Sequence, residues 1–295
     1  REFVELTVAA AKAGVEVVYL NTGFAGAQLN EVIGRESISA IAIDGEFVPL
    51  LDLDRTVSVL VVGATGARTP PNATSLDALA ERRAWRLPLR ASMPINPILL
   101  TSGTTGTPKG ARRSGRLDPA AATSVLERIP YRADDVVGIT SPLFHAWGFA
   151  QLGIAIALGC TAVVSATFNA AATLDQVRDR KVTVLAVVPV FLQRFLASPG
   201  FDDAELSSRV RCGPNLYNLY GSTEVGQATL ATPTDLLDHP DTAGRALGGS
   251  EIQILDSVGV LLPIGEIGRI FVGSTAHFDG YTGGGGKEVI DGLMS

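Results

Sequence analysis

Metal-binding and disulfide-forming residues are scarce in this chain. Its 295 residues include three histidines (His145, His239, His277) and two cysteines (Cys160, Cys212), all far apart. No CxxC pair occurs, which argues against a thiolate zinc site and fits a reducing compartment. Dispersed histidines likewise make a histidine-based metal site a poor reading. No Lys/Arg block or basic stripe is present, and the net charge is −6. Nucleic acid is therefore not the expected main partner. No run reaches the roughly 18 consecutive apolar residues of a membrane span. The nearest, GFAQLGIAIALGCTAVV (148–164), is punctuated by Gly148, Gly153 and Gly159 and reads as a buried helix followed by a strand. No secretory signal opens the chain. REFVEL lacks Met and falls inside a helical pattern, and DGLMS ends in mid-pattern, so part of a longer, cytoplasmic protein is expected.

What is present is a large apolar fraction, 46% of residues. That is ample for one large domain or two. Val4, Val8 and Ala11 form a stripe through Glu2–Ala13, with Gly14 as a stop, predicting a helix. A short β-rich run, EVVYL, follows. A second helix is predicted over Ala25–Arg35 and a second strand at ISAIAI (38–43). Helix and strand keep alternating. Strands are expected at 57–62, 136–140, 160–164, 182–188 and 216–220, and helices at 120–128, 147–158, 173–180 and 190–197. This is the pattern of wound α/β sheets, and near-continuous apolar strands imply cover on both faces. Beyond about residue 240, short β-rich runs separated by LDSVG and PIGE predict a small antiparallel β subdomain. The fold class expected is α/β, two helix-covered subdomains plus that β subdomain, divided as 1–240 and 241–295. TGGGG (282–286) reads as a flexible loop or a turn near a boundary.

Two glycine loops invite a nucleotide reading. VVGATGART (61–69) lacks the third glycine of a dinucleotide fingerprint, and Pro70 and Pro71 forbid the helix that should follow. TSGTTGTPKG (101–110) is different. It holds five hydroxyls, three glycines and Lys109 directly after the apolar run PILL. It cannot be threaded as a Walker A loop, yet it has what phosphate needs. Glycines let backbone N–H groups converge on an anion, hydroxyls donate in little space, and lysine adds a mobile point charge.

That loop resembles the phosphate-binding signature of the adenylate-forming superfamily, which includes acyl-CoA synthetases, luciferases and nonribosomal adenylation domains. SPLFHAWG (141–148) resembles the superfamily's histidine-bearing segment, and NLYGSTEVG (218–226) its adenine- and magnesium-binding segment. The pairs GR (244–245) and GEIGRIFV (265–272) match its later β region. The likeness runs in order over nearly all of the chain and is strongest toward fatty acyl-CoA synthetases.

The resemblance implies two half-reactions. A carboxylate attacks the α-phosphate of ATP, releasing pyrophosphate; a thiol, coenzyme A, then attacks the acyl carbonyl. It implies that Thr101, Ser102, Gly103, Thr104, Thr105, Gly106 and Lys109 hold the β- and γ-phosphates. Tyr220, with Gly221 and Ser222, would meet the nucleotide, the Tyr220 ring packing on adenine. Thr223 would donate to the α-phosphate and Glu224 would bind Mg²⁺. Outside this context Tyr220 would read as an ordinary buried tyrosine and Glu224 as a solvated surface glutamate. His145 would position or gate the acyl group beside a pocket lined by Pro189, Val190, Gly221 and the small-residue helix after it. The Gly and Ala there suit a medium- or long-chain fatty acid. The superfamily's ribose-binding TGD segment and C-terminal domain are expected after Ser295, and SSRVRCG (207–213) is too short for the strand and helix expected before the tyrosine segment. Two rivals remain: an acyl-AMP ligase that loads a carrier protein, and a non-catalytic nucleotide- or acyl-binding module. No basic amphipathic helix marks a peripheral membrane contact, and the oligomeric state is not legible.

Overall fold

The computed structural model describes residues 1–52, 56–63, 73–81, 97–101, 108–113, 119–199, 201, 210, 215–274 and 278–295. It divides into two compact units, Arg1–Ser114 with Asp279–Gly286, and Gly115–Phe278 with Lys287–Ser295.

In chain order the first unit contains α1 (Glu2–Ala13), β1 (Val18–Tyr19), α2 (Gly26–Arg35), β2 (Ala40–Asp44), a 3₁₀ turn (Gly45–Leu50), β3 (Ser58–Val62), β4 (Ala73–Ser75), α3 (Leu76–Glu81), β5 (Ile98–Leu100) and β6 (Gly110–Arg112). The second contains α4 (Pro119–Arg128), β7 (Val136–Ile139), α5 (Ala146–Leu158), β8 (Thr161–Val164), α6 (Ala170–Asp179), β9 (Val184–Ala186), α7 (Pro189–Leu196), β10 (Asn218–Ser222), β11 (Gly226–Ala231), α8 (Pro233–Asp238), β12 (Arg245–Ala246), β13 (Ser250–Leu255) and β14 (Arg269–Ser274). β15 (Gly280–Tyr281) returns to the first unit, and β16 (Val289–Ile290) and β17 (Leu293–Met294) close the second.

In the first unit α1 ends at Gly14, which takes the left-handed conformation that the stop signal requires. α2 buries Leu29, Val32 and Ile33, one stripe at helical spacing, against Ile41, Ile43, Val59 and Val61 of the parallel sheet β2-β3-β4. Asn30 ties this helix to the 3₁₀ turn. Its Nδ2 donates to Gly26 O (2.7 Å) and Leu50 O (2.8 Å), and its Oδ1 accepts from Asp52 N (2.9 Å). The other sheet of the unit, β1-β5-β6-β15, is mixed: β1 runs parallel to β5, and β6 is antiparallel to both β5 and β15.

In the second unit β7 lies between β8 and β9, all parallel. Parallel neighbours need crossovers, and α5 and α6 supply them. Buried Asp135 precedes β7 with both carboxylate oxygens satisfied. Thr183 Oγ1 donates to Oδ1 (2.7 Å) and Arg132 N donates to Oδ2 (2.7 Å). The remaining sheets, β10-β11-β12 and β13-β14-β17-β16, are antiparallel, and the latter meets the expectation of a small β layer late in the chain.

Three expectations need correction. β9 is shorter than the apolar run 182–188, and β10 begins two residues later than 216. β2 alternates exposed and buried residues, and β8, at a sheet edge, is exposed along most of its length, so full cover on both faces does not hold for them. α5 buries Gly148, Gln151, Leu152 and Ala155 but leaves Ile156 in solvent. Its even apolarity concealed which face packs.

Candidate active site

The hydroxyl-rich segment sits at the end of the β5–β6 hairpin. Leu100 pairs with Gly110 in the ladder, and Thr101 N donates to Lys109 O at 2.8 Å, extending the pairing one step toward the tip. Ile98, Leu100, Gly110 and Ala111 are buried, so the stem is anchored while Lys109 stays exposed. Gly110 is needed for close approach. A Cβ there would lie 2.5 Å from Ile98 Cγ2 and 2.8 Å from Thr282 Oγ1. Ser102, Gly103, Thr104, Thr105 and Gly106 lie outside the described residues. Gly63, which follows the end of β3, holds a positive φ, whereas Ala64–Asn72 lie outside them too.

A set of contacts that the sequence did not disclose holds the stem from outside. At the C-terminal end of α2, Arg35 Nε and Nη2 donate to Glu36 Oε1 at 2.9 and 2.7 Å. Arg35 Nη2 also donates to Pro108 O at 2.5 Å, and Thr282 Oγ1 donates to the same Glu36 oxygen at 2.7 Å. The signals were an adjacent Arg–Glu pair at a helix end and a glycine run near the chain's end, neither specific alone.

The second predicted segment is also a hairpin. β10 and β11 pair antiparallel, with a bulge between Tyr220 and Gly221 and a turn over Thr223–Val225. A Cβ on Gly221 would run into the carbonyl oxygen of Gly226. Ser222 Oγ accepts from Glu224 N (3.2 Å) and Val225 N (3.3 Å), so the turn is tied by its own side chain. Tyr220 is 42% exposed and Glu224 only 7%. This reverses what the two residue types suggest by themselves. The aromatic ring is offered to solvent, and the carboxylate is withdrawn from it.

His145 caps the start of α5 with extended backbone, and its ring lies 4.6 Å from that of Phe144. Burial holds its imidazole below the usual histidine value, favouring the neutral form. Of the acyl-pocket candidates, Pro189 opens α7 and Val190 is 48% exposed. No cluster of three or more His, Cys, Asp or Glu side chains suited to a metal occurs among the described residues. A cation at Glu224 could complete its shell with phosphate oxygens and water. That donor set, hard oxygen throughout, fits Mg²⁺. Thr101 and Lys109 fall in the first unit; His145 and Tyr220–Glu224 fall in the second.

Comparison with known proteins places these segments in a family. The AMP-binding enzyme family matches residues 1–213 and 204–282, two stretches that overlap across the short segment noted before the tyrosine strand. Indoleacetate–CoA ligase of Aromatoleum aromaticum is 30% identical over 92% of this chain and 58% of its own length. Fatty acid–[acyl-carrier-protein] ligase ScoC of Streptomyces coeruleorubidus is 25% identical over 95% of this chain and 59% of its own. Among solved structures, o-succinylbenzoate CoA synthetase (MenE) of Bacillus subtilis with the acyl-adenylate intermediate OSB-AMP superposes with a TM-score of 0.75 at 20% identity. That superposition covers 99% of this chain and 62% of MenE, and it shows the fold. The chain thus spans less than two thirds of the length of these relatives. With a family match over most of its length and both hairpin segments inside it, the chain belongs to the AMP-binding enzyme family.

Proposed function

We propose that the protein containing this chain activates a carboxylic acid with ATP and Mg²⁺ to an acyl adenylate and passes the acyl group to coenzyme A. The family match across both hairpins carries this reading. A carboxylate is a poor acyl donor because oxide is a poor leaving group; as an adenylate it leaves AMP instead. The first step is mainly positioning and charge neutralisation. Lys109, with Thr101 and the hydroxyls and glycines of 102–106, binds the β- and γ-phosphates. Tyr220, already exposed, stacks on adenine, beside Gly221 and Ser222. Thr223 donates to the α-phosphate oxygens, where negative charge grows. Bound Mg²⁺, ligated by Glu224, supplies further charge neutralisation. His145, neutral at pH 7, orients the acyl carboxylate by hydrogen bonding.

For the acid, the small residues of α5 favour an apolar acyl group, with a medium- or long-chain fatty acid the first choice. The named relatives divide between aromatic acids and a fatty acid. Pyrophosphate release by the full-length protein, measured over a panel of alkyl and aryl carboxylates, tests this. Release with no member of the panel, while ATP still binds, would leave a nucleotide-binding module. A second reading has specific support in the carrier-protein ligase among the relatives. Supplying coenzyme A or a phosphopantetheinyl carrier, and finding which is acylated, separates the acceptors. We assign the α/β core to residues 1–240 and the β subdomain to 241–295 as the working division of the protein.

A further inference from the structure

The glycine run near the chain's end has no part in the function above, and the structure gives it one. Residues 281–285 form a tight turn: Gly284 N donates to Tyr281 O (2.8 Å) and Tyr281 N donates to Gly285 O (3.1 Å). Gly284 and Gly285 both hold φ near +84°, which side chains resist. The turn is docked. β15 pairs with β6, Thr282 N donates to Gly110 O (2.9 Å), and Thr282 Oγ1 reaches Glu36. Its result is to place the Tyr281 ring under Lys109, with Nζ 5.4 Å from the ring centroid. That is within cation–π range. The Glu36 side chain is only 2% exposed, and Glu36 Oε1 collects three donors, two from Arg35 and one from Thr282. Arg35 then forks onward to the carbonyl of Pro108, the residue before Lys109.

We propose that Tyr281 and the Arg35–Glu36–Thr282 brace are positioning residues for Lys109, holding its ammonium ready for a polyphosphate. This rests on the nucleotide reading above. The reasoning is entropic and geometric. A free lysine side chain carries about 2 kcal/mol of rotamer entropy that an anion must freeze. A ring beneath it restricts those rotamers in advance, and Lys109 remains exposed. The brace fixes the backbone from which the lysine springs. Arginine is suited to this because its planar fork holds its donors in a fixed geometry toward both acceptors, which lysine's freely rotating ammonium does not.

The test is calorimetric binding of MgATP, inorganic pyrophosphate and adenosine to the full-length protein and to three variants. Tyr281→Leu removes the ring and should weaken ATP and pyrophosphate about threefold, in line with an exposed cation–π contact. Tyr281→Phe keeps the ring and should bind as the parent does. Arg35→Lys keeps the charge beside Glu36 but loses the fork, and should also weaken both anions about threefold. Adenosine, which has no phosphate, should bind equally to all, and the two Tyr281 variants should keep the parent's melting temperature. Undiminished pyrophosphate binding by Tyr281→Leu, or failure of Tyr281→Phe to restore it, overturns the proposal. So does an equal loss for adenosine. If the parent protein binds neither ATP nor pyrophosphate, the nucleotide reading itself falls and takes this one with it.

Discussion

The two hairpins solve one problem in opposite ways. Each holds polar residues on a short antiparallel stem, and each uses a glycine where its neighbours leave no room for a Cβ, Gly110 in one and Gly221 in the other. The β10–β11 tip is tied by a polar side chain of its own, while Val225 of its turn packs against Val272 of β14. Its turn is tied by Ser222, its obstacle is the facing strand of the same hairpin, and its carboxylate is buried. The β5–β6 stem carries an exposed cation, Lys109, and is held from outside beside it. Arg35 reaches it across 73 residues of sequence, and Thr282 and Glu36, themselves 246 residues apart, bond beside it. A compact turn can position a short buried side chain. A long exposed lysine needs partners that the hairpin cannot provide.

The contrast predicts unequal costs for the same change. Gly221→Ala meets backbone and should destabilise the second unit by about 3 kcal/mol in urea unfolding. Gly110→Ala meets no backbone but does meet the stiff, β-branched side chains of buried Ile98 and of Thr282, and should cost less, about 2 kcal/mol. Equal costs would break the distinction. Glu224→Gln keeps the shape of the tip but removes its charge. Pyrophosphate release should fall on the order of 100-fold, about 2.7 kcal/mol, with the half-saturating Mg²⁺ concentration raised. Activity at the parent's Mg²⁺ requirement would remove Glu224 from the metal site. Ser222→Ala unties the turn and should cost about 1 kcal/mol of stability, with nucleotide binding weakened in step. A change in either without the other would show that the turn and the site are separable.

The smallest effect concerns His145. Burial lowers its proton affinity in the folded state, so the unfolded chain binds more protons below its ordinary value of 6.5. Stability should therefore decline as pH falls through about 6.5 and level off below the lowered value. His145→Gln should flatten that slope. A denaturation midpoint that is constant from pH 8 to 5 in the parent would show that the imidazole is not desolvated.

Much of the fold was legible because its signals are local. The α1 range and its Gly14 stop follow from helical spacing and a single left-handed residue, and most parallel strands fell where β-branched runs predicted. What failed depended on neighbours. The apolar run 148–158 shows the same character on every side, so nothing in it distinguishes the packed Leu152 from the exposed Ile156. The exposures of Tyr220 and Glu224 ran against residue type, because a bulge and a turn, not hydropathy, set which side chain faces out. Nothing local marks the roles of Arg35 and Glu36, since their partners lie far along the chain.

The sequence alone determined the family and the α/β class, and it marked the segments proposed to carry chemistry, because turn glycines, hydroxyls and charges act within a few residues of one another. Tertiary structure alone decided which polar groups are withdrawn from water and what steadies Lys109. Those outcomes depend on atoms brought together through pairing of distant strands, and such pairing leaves no periodic trace in the chain.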